Sequence, residues 1–339
     1  MDDVKRLLSI IKAAPLPFDK NDSQLAQEYR NWFYEVRSGQ LKAAEQKRAL
    51  NGAVCTCPHC GGKEQWFVKT RLIWRCKSCN KQFSVKVGSI FEDSALGLDK
   101  WLCAIWMIAN AKNGISSYEI HRALGVTQKS GWFMLHRIRY AMQQGSLDKF
   151  TGEVEVDETY VGGKVGNMHK SKVEARDKQG RGAVNKSIVM GLLERNGQVR
   201  TKVIKRASKK TLQGEIRKNV VEGATVYTDE YKSYQGLNNY DHQVIEHATE
   251  YVRGNVHTNG IENYWSLFKR ALRGTYVNCQ DAHLARYLDE ETFRFNHRGT
   301  NDASRFAIVL GSVAGKRLTY EQLTNNEKFK QLRLWKRIN

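Results

Sequence analysis

The stretch His257-Thr-Asn-Gly-Ile-Glu-Asn-Tyr-Trp-Ser-Leu-Phe-Lys-Arg-Ala-Leu-Arg273 decides how the rest of the chain is interpreted. Its apolar residues recur at the spacing of a helix that packs one face on a core, and they are Ile261, Tyr264, Trp265, Phe268, Ala271 and Leu272. Glu262, Lys269 and Arg273 fall together on one flank of this predicted helix. A single acid on a helix flank is most often a solvated charge, so the role of Glu262 depends on what other segments bring to it.

Two upstream segments with strand patterns carry further carboxylates. In the first, period-2 alternation puts four polar residues on one face, namely Glu153, Glu155, Asp157 and Thr159. Repeated acids on one face are costly to bury without a cation. The second segment, 224–232, is a short β-prone run that contains Asp229. An Asp within a strand, an Asp at a strand end and a Glu on a helix are the ligands that a hard divalent cation needs, although spacing alone leaves turn and edge carboxylates equally open.

Composition and charge limit the class of protein. The 339 residues are enough for two or more domains, and 41% hydrophobic with 10% aromatic content argues against disorder. The net charge of +20 favours a polyanionic partner such as nucleic acid. Residues 163–218 hold 16 Lys or Arg against 4 Asp or Glu, so most of the excess lies beside the Asp157 strand. A generally basic, solvated surface is the alternative.

The sequence has no pattern of a signal peptide or a membrane span. It opens Met-Asp-Asp, and its longest apolar run, 101–109, is too short to cross a bilayer. Seven cysteines in a chain of this length do not suggest a secreted disulfide scaffold. We therefore expect a cytoplasmic protein without membrane association.

Four cysteines have the spacing of a zinc ribbon. Cys57-Pro-His-Cys60 and Cys76-Lys-Ser-Cys79 are two C-x2-C pairs separated by fifteen residues, a spacing that brings four thiolates to one tetrahedral Zn²⁺. Four sulfur ligands leave no open position, so the predicted ion is structural. Free thiols in a small β unit are the alternative, although a segment of roughly forty residues has little core without metal. Cys55 could compete as a ligand.

Residues 99–142 carry three helical patterns. Ser116-Ser-Tyr-Glu119 is a capping box, and Thr127 caps a later helix with an inward apolar face. Two short helices joined by a Gly-containing turn resemble a helix-turn-helix, whose second helix would turn three basic residues outward toward DNA, namely Lys129, Arg137 and Arg139. A small helical bundle that does not bind DNA would have much the same pattern.

The remaining patterns predict an α/β domain with a mixed sheet. Strands over 153–161, 187–194 and 198–204 precede a helix over 209–220, the Asp229 strand, a strand near 243–246 and the Glu262 helix. This order suits an RNase H-like architecture with acids at the carboxyl ends of strands. The predicted organisation is multidomain, with a helical segment at 1–50, a zinc ribbon at 51–92, a helix-turn-helix-like domain at 96–147, the RNase H-like catalytic domain at 150–310 and a basic tail at 311–339.

Motifs along the chain carry a resemblance to a known family. Besides the ribbon they are Lys100-Trp-Leu-Cys-Ala-Ile-Trp106, Gly114-Ile-Ser-Ser117, Gly125-Val-Thr-Gln128, Val154-Glu-Val-Asp-Glu-Thr-Tyr160, Thr228-Asp-Glu230, His257-Thr-Asn-Gly-Ile-Glu262, Tyr287-Leu-Asp-Glu290 and Phe293-Arg-Phe-Asn296. With them the chain resembles insertion-sequence transposases of the DDE superfamily, in the ISXO-like group with an N-terminal zinc ribbon. The resemblance implies that Asp157, Asp229 and Glu262 are the catalytic triad. It also implies that Lys269 is their basic partner. The first fifty residues lie outside it, and 276–281 departs from the family pattern.

The resemblance implies a bacterial DNA transposase that is associated with the nucleoid. Its three carboxylates would hold two Mg²⁺ or Mn²⁺ ions, which activate water and then a 3′-hydroxyl for in-line attack on phosphodiesters. Its partners would be double-stranded DNA of the transposon ends and of the target, on which it would assemble as a homo-oligomer. Arg273 would join the helix-turn-helix residues in contacting DNA. Glu158 and Glu230 adjoin the two aspartates, but we expect them to point elsewhere.

Two other function classes fit part of the sequence. A zinc-ribbon and helix-turn-helix regulator would bind DNA without catalysis, equally well with or without Mg²⁺. An RNase H-type nuclease would cleave strands without joining them. A regulator has no use for three acids at these positions, so the sequence favours the transposase.

Overall fold

The computed structural model describes residues 57–324 apart from 69, 70, 72, 85, 144, 146, 147, 163–185, 246–255 and 278. The predicted segment 1–50, Cys55, the first part of the basic 163–218 segment and the end of the tail lie outside the described residues. By its internal contacts the chain divides into two units. The first holds the described residues up to 111, 115–142 and those from 300 onward, and the second holds 112–114 and 143–299.

The helices and strands follow one another in an order close to the predicted one. The strands are β1 (Gln65–Val68), β2 (Ile73–Cys76), β3 (Gln82–Phe83), β4 (Val154–Val161), β5 (Ser187–Glu194), β6 (Val199–Ile204), β7 (Thr225–Asp229) and β8 (Asp241–Ile245). The helices are α1 (Leu98–Asn110), α2 (Ser117–Leu124), α3 (Gln128–Met142), α4 (Lys209–Asn219), α5 (Asn259–Ala271), α6 (Leu284–Asn296), α7 (Asp302–Gly311) and α8 (Tyr320–Thr324). Short 3-10 and π segments join some of them.

In the first unit, the ribbon is a three-stranded antiparallel sheet in the order β1-β2-β3. Its small core is aromatic. Trp74 and Phe83 stack with ring centroids 5.9 Å apart, and Phe67 packs against Trp74. Trp66 points to the other face of β1, as the alternation of a strand requires, and is 54% exposed.

The predicted local signals around α2 and α3 are confirmed. Ser116 Oγ accepts the Glu119 N–H, and Glu119 Oε2 in return accepts the Ser116 N–H at 2.7 Å, which completes the capping box. Gly125 then takes the left-handed conformation that ends α2, and Thr127 Oγ1 accepts the N–H of Ser130 at the start of α3. The two helices are therefore joined by a turn of only a few residues.

The prediction that Arg137 and Arg139 point outward is wrong. Both side chains are buried, 4% and 1% exposed. Arg137 donates to the backbone carbonyls of Ile90, Glu92 and Leu318 at 2.7–2.9 Å. A guanidinium can satisfy several carbonyls at once, so here it holds three segments of the helical unit together. Helical spacing alone predicted an outward face for these residues. It could not indicate the backbone carbonyls that Arg137 contacts, because they lie far away in the sequence.

In the second unit, five strands form the predicted mixed sheet, and their order in it is β6-β5-β4-β7-β8. The pairs β6-β5 and β5-β4 are antiparallel, and the pairs β4-β7 and β7-β8 are parallel. Alternate residues of β4 and β5 point to opposite faces of the sheet and belong to two apolar clusters. Val154 and Val156 pack with the α4 side chains, whereas Val189 and Leu193 pack with α5 and α6. Helices therefore cover both faces of the sheet.

The end of the sheet-containing unit differs from the predicted boundary at residue 310. Helix α7 packs with the first unit, where the Phe306 and Trp106 rings make an edge contact at 5.8 Å and Arg305 Nε donates to Asn110 Oδ1 at 3.1 Å. Helix α7 has an ordinary amphipathic pattern, and nothing local in such a pattern specifies which core it joins.

Candidate functional site

Asp157 and Asp229 are brought together by the register of two parallel strands. Val154 of β4 pairs with Val226 of β7, and Glu155 pairs with Tyr227. Continuing this register by two residues sets Asp157 beside Asp229, the last residue of β7. Asp157 itself lies in the middle of β4, which extends beyond the end of β7, so only Asp229 lies at a carboxyl end. The two carboxylates lie at the edge where the parallel pairing stops.

Helix α5 is fixed directly to Asp157. Trp265 Nε1 donates to Asp157 Oδ2 at 2.9 Å. This approach depends on Gly191, the residue of β5 that pairs with Asp157. A Cβ atom at Gly191 would come within 2.8 Å of both Trp265 and Ile261, closer than such atoms can approach. The helix that carries Glu262 is therefore seated against the strand that carries Asp157.

The environment of Asp157 disfavours its charged form. Burial, the carboxylate of Glu158 and the carboxylate of Asp229 together raise the pKa of Asp157 to about 7, while the Trp265 hydrogen bond opposes this rise. The neighbouring charges are of the same sign, and a cation would relieve both their repulsion and the cost of burial. The donor set is oxygen, which suits Mg²⁺ or Mn²⁺.

Glu262 lies in the first turn of α5 with an exposed side chain, and the hydroxyl of buried Thr258 donates to its Oε1 at 3.1 Å. Lys269 is half-buried two turns further along the same helix. Arg273 is exposed in the π turn that follows. All apolar residues of the predicted stripe except half-buried Leu272 are buried, so the flank that carries Glu262 is the one left accessible.

Glu153 and Glu155 share the predicted face with Asp157, but both are already paired with one arginine. Arg195 donates to Glu155 Oε1 at 3.0 Å and to Glu153 Oε2 at 3.1 Å. Glu155 is 1% exposed and also accepts the backbone N–H of Ile261 at 2.9 Å. Sequence reasoning missed Arg195, because a basic residue in a hairpin turn carries no local sign of a buried partner. On this face of β4, Glu153 and Glu155 are therefore paired with Arg195, and Asp157 is the acid that belongs to the candidate site.

Of the two neighbouring acids that were expected to point elsewhere, Glu158 does so. Glu158 lies on the opposite face of β4, where it accepts the hydroxyl of Tyr234, and burial raises its pKa. Glu230 is exposed just beyond the end of β7. Glu158 therefore does not share the face of β4 that carries Asp157.

The motif around residues 287–296 is a structural cluster in the second unit. Buried Arg294 pairs with Glu290 and Glu291, and Tyr276 donates to Glu290. Asn296 Oδ1 accepts the Val199 N–H at 2.8 Å while its Nδ2 donates to the Val199 carbonyl. These contacts attach α6 to the edge strand β6, and through it to the sheet that carries the acids.

The four predicted zinc ligands converge. Cys57 and Cys79 Sγ are 3.7 Å apart, Cys60 and Cys76 Sγ are 3.5 Å apart, and all four sulfurs lie within 4.8 Å of one another. A tetrahedral ion with Zn–S bonds of about 2.3 Å separates its sulfurs by about 3.8 Å, which fits. In the part of the chain that the structure describes, no other group of three or more possible metal ligands is as compact.

Backbone geometry shapes this cluster. The N–H of Gly61 donates to the Cys57 carbonyl and the N–H of Asn80 to the Cys76 carbonyl, and both donors have positive φ. Two tight turns thus present each cysteine pair to the same point. The Cys79 backbone N–H is the main cause that lowers the pKa of Cys76 to about 6, whereas the Gly62 N–H is outweighed at Cys60, where hydrogen bonds to the other three thiols raise the pKa to about 12.

Basic side chains of the described region are spread over both units. Lys129 is exposed at the start of α3, as predicted, with its Nζ 4.9 Å from the centre of the Tyr320 ring. In the second unit, β6, α4 and the segment between them carry seven exposed cations, which we name the α4 basic surface: Lys202, Lys205, Arg206, Lys209, Lys210, Arg217 and Lys218. Tyr231, two residues after Asp229, donates to the Ala207 carbonyl within this segment. The basic surface is therefore continuous with the end of β7.

A membrane span is not found among the helices of the described residues, since none is long and apolar enough.

Comparison with known proteins agrees with these features. Residues 149–296 match the ISXO2-like transposase domain, and residues 41–82 match the transposase zinc-ribbon domain. A Halobacterium salinarum protein described as lying in transposable element ISH50 is 29% identical over 277 residues, 77% of this chain and 92% of its own length. A Haemophilus influenzae transposase-like protein is 33% identical over 120 residues, 35% of this chain and 95% of its own length. No solved structure matches the chain.

Proposed function

The chain belongs to the family of ISXO2-like transposases with a transposase zinc ribbon, and from this membership we propose that it cuts and joins DNA at the ends of an insertion sequence. Its second unit is the catalytic domain, with an RNase H-like arrangement of the sheet. Asp157, Asp229 and Glu262 are its metal-binding triad. The observation that supports this most strongly is the register of β4 with β7, which leads on to Asp157 and Asp229, together with the Trp265 hydrogen bond that seats α5 on Asp157.

Each of the three carboxylates has a different position at the proposed metal site. Asp157 lies between Asp229 and the α5 helix, and it would hold the metal ions together with Asp229 and Glu262. When bound there, two Mg²⁺ or Mn²⁺ ions supply activation of the attacking water or 3′-hydroxyl and stabilisation of the leaving oxygen. Lys269, on the accessible flank of α5, holds a phosphate of the bound strand, since an ammonium cannot ligate metal.

DNA binding uses both units. Lys129 lies at the N-terminal end of α3, and in a helix-turn-helix it is this end of the second helix that contacts the bases. Arg137 and Arg139, by contrast, stabilise the fold. Arg273 and the α4 basic surface hold the phosphate backbone near the catalytic carboxylates. The zinc ribbon adds a further DNA-binding module, and the protein assembles as an oligomer on two transposon ends.

The test is a strand-transfer assay with purified protein, labelled element-end duplexes and target DNA, with and without added Mg²⁺. Omission of Mg²⁺ is preferable to a chelator, which would also remove ribbon zinc. The proposal expects cleaved and joined products that need Mg²⁺ and disappear in Asp157→Asn. Binding that is equal with and without Mg²⁺ and never yields product would indicate a regulator, and cleavage without joining would indicate a simple nuclease.

A further inference from the structure

Arg195 occupies the turn after β5, and its contacts extend well beyond that hairpin. Its own N–H donates to the Glu153 carbonyl at 2.9 Å, which fixes the turn against β4. Its guanidinium then donates to the side chains of Glu153 and Glu155. Glu155 is two residues before Asp157 on the same face of the same strand. Arg195 therefore fixes the strand that carries the first proposed triad residue.

The same guanidinium reaches the start of helix α5. Arg195 Nη2 donates to the carbonyl of His257 at 2.9 Å, one residue before the helix cap. Glu155, held by Arg195, accepts the N–H of Ile261 at 2.9 Å. That N–H is one of the unpaired donors of a helix first turn, where a carboxylate is also favoured by the helix dipole. Arg195 and Glu155 together fix the turn that carries Glu262.

Gly260 makes this approach possible. A Cβ atom at position 260 would lie 2.8 Å from Glu155 Oε2 and 2.7 Å from Leu193 Cδ2. Any larger residue would push the first turn of α5 away from β4. The glycine in the His257–Glu262 motif is thus explained by the same carboxylate that Arg195 orients.

Arg195 also contacts the third acid-bearing element. The guanidinium carbon lies 3.9 Å from the centre of the Tyr227 ring, and the Tyr227 hydroxyl donates to Glu153 Oε1 at 3.1 Å. Tyr227 is two residues before Asp229 on β7. A planar guanidinium stacks on such a ring while its edge donates to carboxylates, which a lysine cannot do.

We propose that Arg195, acting through Glu155, is a positioning residue that sets Asp157, Asp229 and Glu262 relative to one another. The proposal rests on the metal-binding triad proposed above. Each of the three acids lies within five residues of a group that Arg195 contacts, and no side chain of the triad is itself bonded to Arg195 in the contacts described. Arg195 therefore acts on the geometry of the acids and not on their charge.

The test compares Arg195→Lys with Arg200→Lys as a matched control. Arg200 is also a half-buried arginine of the second unit, stacked on the Phe150 ring and bonded to Asp148 and Asn219, but none of its contacts among the described residues is to β4, β7 or α5. Two readouts are needed: Mn²⁺ binding to the protein without DNA, and the Mg²⁺ concentration that half-saturates cleavage. Thermal unfolding of each variant checks the fold.

For Arg195→Lys we expect Mn²⁺ affinity to fall roughly 10–100-fold, as for other outer partners of metal ligands. The half-saturating Mg²⁺ concentration should rise in parallel, and excess metal should restore most of the cleavage rate. Glu155→Gln, which keeps an acceptor for the Ile261 N–H, should shift metal affinity in the same direction but less. Arg200→Lys should leave both readouts at the wild-type value.

The outcomes separate the two proposals. If wild-type protein neither binds Mn²⁺ outside the ribbon nor cleaves, the triad itself is wrong. If wild type does both and Arg195→Lys matches Arg200→Lys, the positioning role is overturned. Should Arg195→Lys fail to fold, Tyr227→Leu repeats the comparison from β7, and unchanged metal affinity in that folded variant would count equally against the proposal.

Discussion

At the scale of single residues, Asp157 has surroundings unlike those of an ordinary surface acid. It is half-buried, it faces two like charges, and its hydrogen bond from Trp265 compensates only part of this cost. Such a group is unfavourable in a protein without a ligand, and functional sites commonly hold groups of this kind. The pKa of about 7 makes this cost measurable near neutral pH.

The pH dependence of stability tests this environment. Because the folded-state pKa of Asp157 lies above its ordinary value of 3.8, the unfolded chain loses this proton first, so stability falls as pH rises from about 4 to about 7. The slope from this one group is at most about 1.4 kcal/mol per pH unit. Denaturant unfolding without added Mg²⁺ should show the fall in wild type and not in Asp157→Asn. A wild-type profile that coincides with that of Asp157→Asn would contradict the raised pKa of Asp157. The control is Asp281→Asn, which changes an exposed aspartate and should keep the wild-type profile.

At the scale of elements, the zinc ribbon has little to hold it besides its four sulfurs. Its described apolar core is small, centred on Trp74 and Phe83. We therefore expect one equivalent of zinc in protein purified without chelators, and loss of both zinc and ribbon structure in a Cys76→Ser, Cys79→Ser double variant. Metal analysis checks the first result, and tryptophan fluorescence, compared with that of a Trp74→Phe variant to isolate the Trp74 signal, checks the second. Less than half an equivalent in wild type, or full zinc in the double variant, would rule the site out.

Helix α3 separates a structural arginine from an exposed lysine. Arg137→Ala leaves three buried carbonyl groups without their donor, so the unfolding free energy should fall by about 3 kcal/mol or more. Lys129→Ala removes an exposed charge, so stability should change by less than about 0.5 kcal/mol while affinity for element-end DNA falls. Unfolding curves and binding isotherms on both variants distinguish the roles. Equal stability of the two variants would contradict the burial of Arg137.

Two arginines, Arg137 and Arg195, show which features of the structure could not be predicted from the sequence. Sequence patterns are local, so the strand predicted over 187–194 and the helix predicted over 209–220 match β5 (Ser187–Glu194) and α4 (Lys209–Asn219) almost to the residue. The hydrogen-bond partners of the Arg195 side chain lie at least 40 residues away and those of the Arg137 side chain at least 45, and no local pattern specifies them. The position of Glu155 could be predicted, but its burial against Arg195 could not.

At the scale of the whole molecule, the charge of +20 bears on how DNA is held. The cations of the α4 basic surface outnumber the single acid in the same segment, Glu215, which is bonded to Lys202 and Lys218. Binding should be driven largely by phosphate contacts and the release of counterions. The unit to which α7 belongs could not be predicted from the sequence. It depends on packing between residues that are distant in the sequence, such as Trp106 and Phe306.

Salt dependence measures this phosphate contribution. Between 50 and 200 mM salt, affinity for element-end DNA should fall by roughly 10³-fold if about six phosphates are contacted. Lys209→Ala combined with Lys210→Ala should reduce the slope, since each lost contact lowers it by about one. Anisotropy titrations over a salt series make the measurement. Affinity that stays flat across the series would exclude this mode of binding.

The most direct test of the account compares Glu262→Gln with Glu158→Gln in strand transfer. Each change removes one charge and keeps the shape of the side chain, and Gln at position 158 can still accept the Tyr234 hydroxyl. If Glu262 is a metal ligand, Glu262→Gln should fold and bind DNA as wild type does, while strand transfer falls by orders of magnitude. Glu158→Gln should retain most of the activity. Matched strand-transfer rates for the two variants would contradict the assignment of Asp157, Asp229 and Glu262 as the catalytic site.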